Sequence, residues 1–173
     1  MSKKFRDDLI SNDVSFRYIF NDLLEKGEIK EYPDSLWKII SSDKTPIRIN
    51  REPFAFKDLF HLDLNEGRCK MCATEMVLLL DKLGYYSEAV ECVNEHLKGT
   101  SGSVYGGHWY VEVKSSMEHY LIDTSLVIVG SVEAFENLGH KVIRKIDIDT
   151  LFKEDSSLID YYDNMIVDKT RLH

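Results

Sequence analysis

Apolar residues recur at three- and four-residue steps over residues 68–83, where Cys69, Ala73, Met76, Val77, Leu80 and Leu83 fall on one helical face and Gly84 follows as a stop. That spacing predicts a buried helix at the centre of the fold. Residues 7–27 carry a second helical pattern through Leu9, Phe16, Ile19, Phe20, Leu23 and Leu24, closed by Gly27. A shorter helix is predicted from Asp34, with Leu36, Trp37, Ile39 and Ile40 as its apolar face. Residues 41–53 are mostly polar and hold Pro46 and Pro53, the pattern of a loop or edge strand. Further on the period changes to two. Residues 86–93, 108–113, 119–123 and 141–148 read as strands, 126–129 as a continuation of the sheet, 132–138 as a short helix before Gly139, and 156–166 as a helical tail.

This order of elements predicts an α+β fold, with N-terminal helices and a buried helix packed on a mainly antiparallel sheet. If Ser115-Ser116 is the turn between the strands at 108–113 and 119–123, opposed residue numbers sum to 231 and His108 faces Asp123 directly. Serine does not favour the positive φ that a two-residue turn needs, so a longer loop would shift that pairing.

At 173 residues the chain has the length of one domain, and its 43% hydrophobic content suits a packed core. The expectation is a single domain over 1–173, divided into a helical N-terminal part at 1–62, a core at 63–150 and a C-terminal helix or tail at 151–173. Thirty acidic residues against 22 basic ones give a net charge of −8, which argues against nucleic acid as a partner. The charged start carries no apolar run of a secretory signal, and the longest apolar stretch, residues 76–80, is too short to insert in a membrane. Three cysteines are an odd number and fit free thiols in a reducing compartment. A cytoplasmic location is the expectation, with export lacking a cleavable signal left open.

Cys69, His108 and Asp123 change what such a fold could do. Cys69 opens the core helix, where unpaired N–H groups and the helix dipole favour an anion. His108 opens a strand after Gly106-Gly107, and Asp123 ends the next strand. In a thiol enzyme the three would serve as nucleophile, general base and orienting carboxylate. Backbone N–H groups at the helix start would hold the oxyanion, with Asn65 and Arg68 as side-chain candidates, while Trp109 and Tyr110 would line the cleft. The chain has no glutamine to serve as an oxyanion donor.

These residues resemble the core of the transglutaminase-like (papain-like) superfamily of Cys-His-Asp enzymes. Gly67-Arg68-Cys69, Ala73, Leu79-Leu80 and Gly84 match its nucleophile helix, and His108-Trp109-Tyr110-Val111-Glu112-Val113 matches its histidine strand except that Tyr110 stands where Trp is usual. Leu121-Ile122-Asp123-Thr124 is similar to the family's aspartate segment. The likeness covers residues 67–125. It implies a papain/transglutaminase-like core and acyl transfer through a thioester on amide bonds of peptides or proteins, by proteolysis, deamidation or cross-linking, with no cofactor. The spacing also looks like arylamine N-acetyltransferases, but Asn65-Glu66-Gly67-Arg68 lacks the Arg-Gly-Gly approach of that family.

Taken singly, each residue has a plainer reading. Cysteine is commonly buried, histidine often hydrogen-bonds structurally, and aspartate commonly ends strands. Two other functions compete with the enzyme: a catalytically inactive relative that binds a protein, and a zinc-stabilised domain using Cys69, Cys72, Cys92 and His96. His61, His119 and His140 have no informative spacing.

Overall fold

The computed structural model describes residues 2–31, 46–49, 52–55, 68–99, 105–114 and 119–167. Its elements are α1 (Ser2–Asn12), α2 (Val14–Glu25), β1 (Ile29–Glu31), β2 (Pro46–Ile49), β3 (Glu52–Ala55), α3 (Arg68–Lys82) and β4 (Tyr86–Val93). After a 3-10 turn at Glu95–Leu97 come β5 (Gly107–Lys114), β6 (His119–Asp123), β7 (Ile128–Gly130), α4 (Val132–Asn137), β8 (Lys141–Ile146), α5 (Ile148–Glu154), α6 (Ser157–Asn164) and β9 (Met165–Val167). The fold is α+β. A six-stranded antiparallel sheet has the order β1-β7-β6-β5-β4-β8, and β3-β2-β9 form a smaller antiparallel sheet.

The large sheet is covered on both faces. Ala89, Val111, Val113 and Ile122 pack with α3, whereas Val90, Tyr110, Leu121 and Ile128 pack with residues of α1, α2 and α4. Because both faces are covered, β5 is buried at every position between its two ends instead of alternating. Met76, Leu78, Leu79 and Leu80 of α3 are at most 1% exposed, more of the helix than one face. Sheet residues meet it on one side and Leu151 and Phe152 of α5 reach it on another. Each such side chain is worth about 1.5–3 kcal/mol of burial.

Several expectations from the sequence are corrected. The single helix over 7–27 is two, because Asp13 leaves the helical region at φ −114° and ψ 103° and its carboxylate accepts the Phe16 N–H at 2.8 Å. The strand over 141–148 stops at Ile146 because Asp147 caps α5 by accepting the Thr150 N–H at 2.8 Å. Within the segment read as a loop or edge strand, β2 and β3 pair antiparallel, and the tail continues from α6 into β9. The helix predicted from Asp34 lies outside the described residues.

The β5–β6 pairing is also shifted: Val111 faces Ile122 and Lys114 faces His119, so opposed numbers sum to 233 rather than 231. The pairing runs as far as Lys114 and His119, and residues 115–118 lie outside the described residues. Because the shift is an even number of residues, it leaves every side chain on its original face. His108 and Asp123 therefore become diagonal neighbours on one face instead of directly opposed.

Topology gathers one end of the large sheet. The antiparallel order brings the end of β4, the start of β5, the end of β6 and the start of β8 to the same edge. At about 1.5 Å per helical residue and 3.3 Å per strand residue, α3 and β4 have similar lengths, and the short link at Gly84 folds one back along the other. The N-terminus of α3 therefore returns to the edge where β4 ends.

Candidate active site

Cys69, His108 and Asp123 meet at that edge. Cys69 is the second residue of α3 and half-buried, and its thiol makes a hydrogen bond with the His108 ring. The N–H groups of Lys70 and Trp109 also point to the sulfur. Burial by itself raises a thiol's pKa, but these neighbours, His108 foremost, outweigh it and hold Cys69 below the ordinary thiol value.

His108 is 3% exposed and its Nε2 lies 2.8 Å from Asp123 Oδ2, leaving Nδ1 as the ring nitrogen for Cys69. Burial opposes its protonation. The adjoining Asp123 carboxylate more than offsets this, with the Cys69 thiol adding to it, and His108 is held well above the ordinary histidine range. The two shifts act together: each group favours the charged form of the other, so the arrangement favours a thiolate–imidazolium pair over a neutral thiol beside a neutral ring.

Gly106 sets the entry to this strand. Its φ is +76°, and a Cβ there would lie 2.3 Å from the Asn94 carbonyl oxygen, while the Gly106 carbonyl accepts the Asn94 N–H at 2.8 Å. Gly107 has open space around it, so of the two glycines only the first is sterically required.

Asp123 is completely buried and receives four N–H groups. Ser125 and Leu126 donate backbone N–H groups to Oδ1, both at 3.0 Å, while His108 and His140 approach Oδ2 at 2.8 and 3.0 Å. Burial would favour the neutral acid. The two histidines reverse that, His108 most strongly, and keep Asp123 ionised far below the usual carboxylate range. His140 and Asn94, whose Nδ2 lies 2.8 Å from His140 Nδ1, are site residues that sequence reasoning missed. Their only local marks are a histidine after the helix stop at Gly139 and an asparagine just past a strand.

Trp109 is 8% exposed on the α3 side, with the Lys70 ammonium 5.1 Å and the Arg144 guanidinium 5.6 Å from its ring centroid. Tyr110 points the other way and does not line a cleft. It is packed in the core, stacked on His140 at 5.3 Å and edge-on to Phe135 at 5.1 Å. Asn65 and the side chain of Arg68 lie outside the described residues. Glu112, the acid shared with the family pattern, is 2% exposed and bound to Lys145 at 2.6 Å and His119 at 2.5 Å, a structural role within the sheet.

Among the described residues, one group of three or more metal-capable side chains has donor atoms within 4.8 Å of one another: His108, Asp123 and His140. Its chemistry does not fit an ion. Both imidazole Nε2 atoms sit at hydrogen-bond distance from the same carboxylate oxygen, so their lone pairs are replaced by N–H groups directed at Oδ2. The zinc set Cys69, Cys72, Cys92 and His96 is not brought together, and His96 Nδ1 pairs instead with Asp13 at 2.9 Å. No helix among the described residues is long and apolar enough to cross a membrane. No protein-family model, curated protein or solved structure matches the chain, so what this site does is carried by its own geometry.

Proposed function

We propose that the chain is a thiol-dependent hydrolase or acyltransferase acting on amide bonds of peptides or proteins, with Cys69 as nucleophile, His108 as acid and base, and Asp123 as the carboxylate that orients His108. The observation that carries this reading is the ordered contact from the α3 N-terminus through His108 to a buried, ionised Asp123. The resemblance of residues 67–125 to transglutaminase-like enzymes supports the same chemistry.

In the first half-reaction the Cys69 thiolate attacks the substrate carbonyl carbon, a C–S bond forms and the carbonyl electron pair moves to oxygen. Backbone N–H groups of the first turn of α3, which have no partner within the helix, would hold the developing oxyanion. The His108 imidazolium gives its Nδ1 proton to the leaving nitrogen, the C–N bond breaks, and an acyl thioester remains. Neutral His108 then takes a proton from water or an amine as it attacks the thioester. Collapse expels the Cys69 thiolate and restores the ion pair. Water yields hydrolysis or deamidation, and an amine yields a cross-link.

The test is to incubate purified protein with peptides containing glutamine and asparagine, with and without a fluorescent alkylamine, and to read the products by mass spectrometry. Cleavage, deamidation and amine incorporation give different masses. Cys69→Ala should lower turnover by at least ~10³-fold while leaving the melting temperature near that of the parent. Equal turnover in that variant would remove Cys69 from the reaction.

A further inference from the structure

Asp123 serves two histidines, and only His108 touches the nucleophile. The second has a fixed chemical state that follows from its neighbours. Asn94 is 1% exposed, and its Oδ1 accepts the His96 N–H at 2.9 Å. Its amide nitrogen must therefore face the other way, donating to the Leu138 carbonyl at 3.0 Å and to His140 Nδ1 at 2.8 Å. With Nδ1 occupied as an acceptor, the proton of neutral His140 resides on Nε2, directed at Asp123 Oδ2.

Resting on the reading of Cys69 as nucleophile, we propose that His140, held by Asn94, is a positioning residue of the active site. It donates Nε2–H to Asp123 Oδ2, locks the carboxylate in the rotamer that meets His108, and draws off part of the negative charge that Asp123 presents to His108. Two consequences follow for the reaction. A carboxylate with donors on both oxygens is a poor proton acceptor, so the proton of His108 leaves through Nδ1 toward the reacting atoms. His108 also remains acidic enough to be neutral in part when the thioester must be hydrolysed.

The surroundings are built to hold this state. The His140 ring stacks on Tyr110 with an interplanar angle of 18°, meets Phe135 edge-on at 5.5 Å, and lies 5.3 Å from the His108 ring. A Cβ on Gly139, whose φ is +98°, would come within 3.1 Å of Asn94 Oδ1. Burial, assisted by the His108 and His96 charges, outweighs the pull of Asp123 and keeps His140 below the ordinary histidine range. The titratable groups around the cluster are Cys69 from α3, Cys92 from β4, Tyr110 from β5 and His96 from the 3-10 turn. Burial pushes Cys92 and Tyr110 far up, so both stay neutral, and His96 is paired with Asp13.

The proposal is tested by 15N-histidine NMR titration of the full chain. In the parent protein the ring shifts should show His140 as the Nε2–H tautomer, staying neutral as the pH falls through the ordinary histidine range. A His140 that titrates near the ordinary histidine value overturns the proposal before any variant is made. His140→Phe keeps an aromatic ring beside Tyr110 but removes the donor, and should raise the His108 midpoint by about one pH unit. His140→Gln, which can return an N–H to Asp123, should restore most of the shift.

Asn94→Ala frees the His140 tautomer and should move His108 in the same direction by less, which supplies a second variant if His140→Phe does not fold. An unmoved His108 midpoint in folded His140→Phe or Asn94→Ala, or a Gln variant that behaves like Phe, rejects the positioning role. The titration needs no turnover. If no amide substrate is processed while the midpoint still responds to His140→Phe and is restored by Gln, the proposed reaction fails and the His140–Asp123 coupling stands.

Discussion

Cys69 and Glu75 lie six residues apart on the same helix, and burial acts on both in the same direction. It opposes the ionisation of each. Cys69 sits in the first turn with the His108 imidazole and the Lys70 and Trp109 N–H groups around its sulfur, and its pKa falls. Glu75 lies around the helix, facing a cavity of about 530 Å³ bordered by Met71, Leu151, Leu158 and Tyr161. There the Tyr161 hydroxyl is the donor that reaches its carboxyl, Oε2 has no hydrogen-bond partner, and burial pushes the group up to about 7. What separates the two is the presence of a cation and directed N–H groups, which a neutral hydroxyl does not replace. Cys92 makes the same point within the site. Opposite His108 across the strand pair but buried without a compensating donor, its thiol is pushed far above the ordinary range.

The strongest way to break the contrast is to remove the cation. His108→Ala leaves Cys69 half-buried without the imidazole, so its thiol should rise past the ordinary value and behave like Cys92. Each pKa unit regained lowers the thiolate fraction tenfold below the midpoint, so iodoacetamide labelling of Cys69 near pH 6 should fall by about 100-fold or more. Cys72 and Cys92 provide internal controls in the same mass-spectrometric digest. Undiminished labelling in the variant would mean that the helix N-terminus alone activates the sulfur, and the difference from Glu75 would become one of helix position.

The parts of this site that were legible in the sequence are those with local signatures. Cys69 is marked by a helix start, while His108 and Asp123 mark the ends of adjacent strands. An error of two in the strand register did not separate the latter pair, because side-chain facing repeats every two residues. His140 and Asn94 are 46 residues apart and meet only because the end of β4 and the start of β8 share one sheet edge. No local periodicity carries that information. Tyr110 was misplaced for a related reason: alternation assigns a face, but both faces of β5 are covered, so a polar tip in a strand gave no sign of which side was solvent. Asp13 shows the opposite case, a side-chain cap strong enough to break a continuous helical pattern and visible in the sequence as Asn12-Asp13.

Removing the carboxyl on the other side of α3 sharpens the comparison through stability. Burial pushes the Glu75 carboxyl up to about 7 in the folded chain, above its ordinary value of 4.5, so the unfolded chain ionises first as pH rises. The stability associated with the neutral carboxyl is thus fully present below the unfolded pKa and is lost as pH rises through the folded one. At ~1.4 kcal/mol per pKa unit, the rise from 4.5 to about 7 corresponds to a loss of about 3 kcal/mol. Glu75→Gln does not titrate, so urea denaturation should show it close to the parent at about pH 4 and more stable by that amount at about pH 8. A parent whose stability rises over this interval relative to the variant would show that Glu75 is ionised without strain and has a partner equivalent to that of Cys69.

The smallest expected effect comes from Tyr161→Phe, which deletes the hydroxyl that donates to Glu75 and leaves the ring in place. Losing one hydrogen bond costs about 0.5–1.5 kcal/mol, and without it the Glu75 carboxylate is still harder to form. The Glu75 midpoint, followed by 13C NMR of its carboxyl, should therefore move further up. Iodoacetamide labelling of Cys69 should stay unchanged, because Tyr161 meets α3 at Glu75 and is not among the groups that set the Cys69 thiol. If Tyr161→Phe also slowed Cys69, the helix would be transmitting the state of one side to the other. The thiolate would then owe its stability to the packing of α3 as a whole as well as to the groups that touch it.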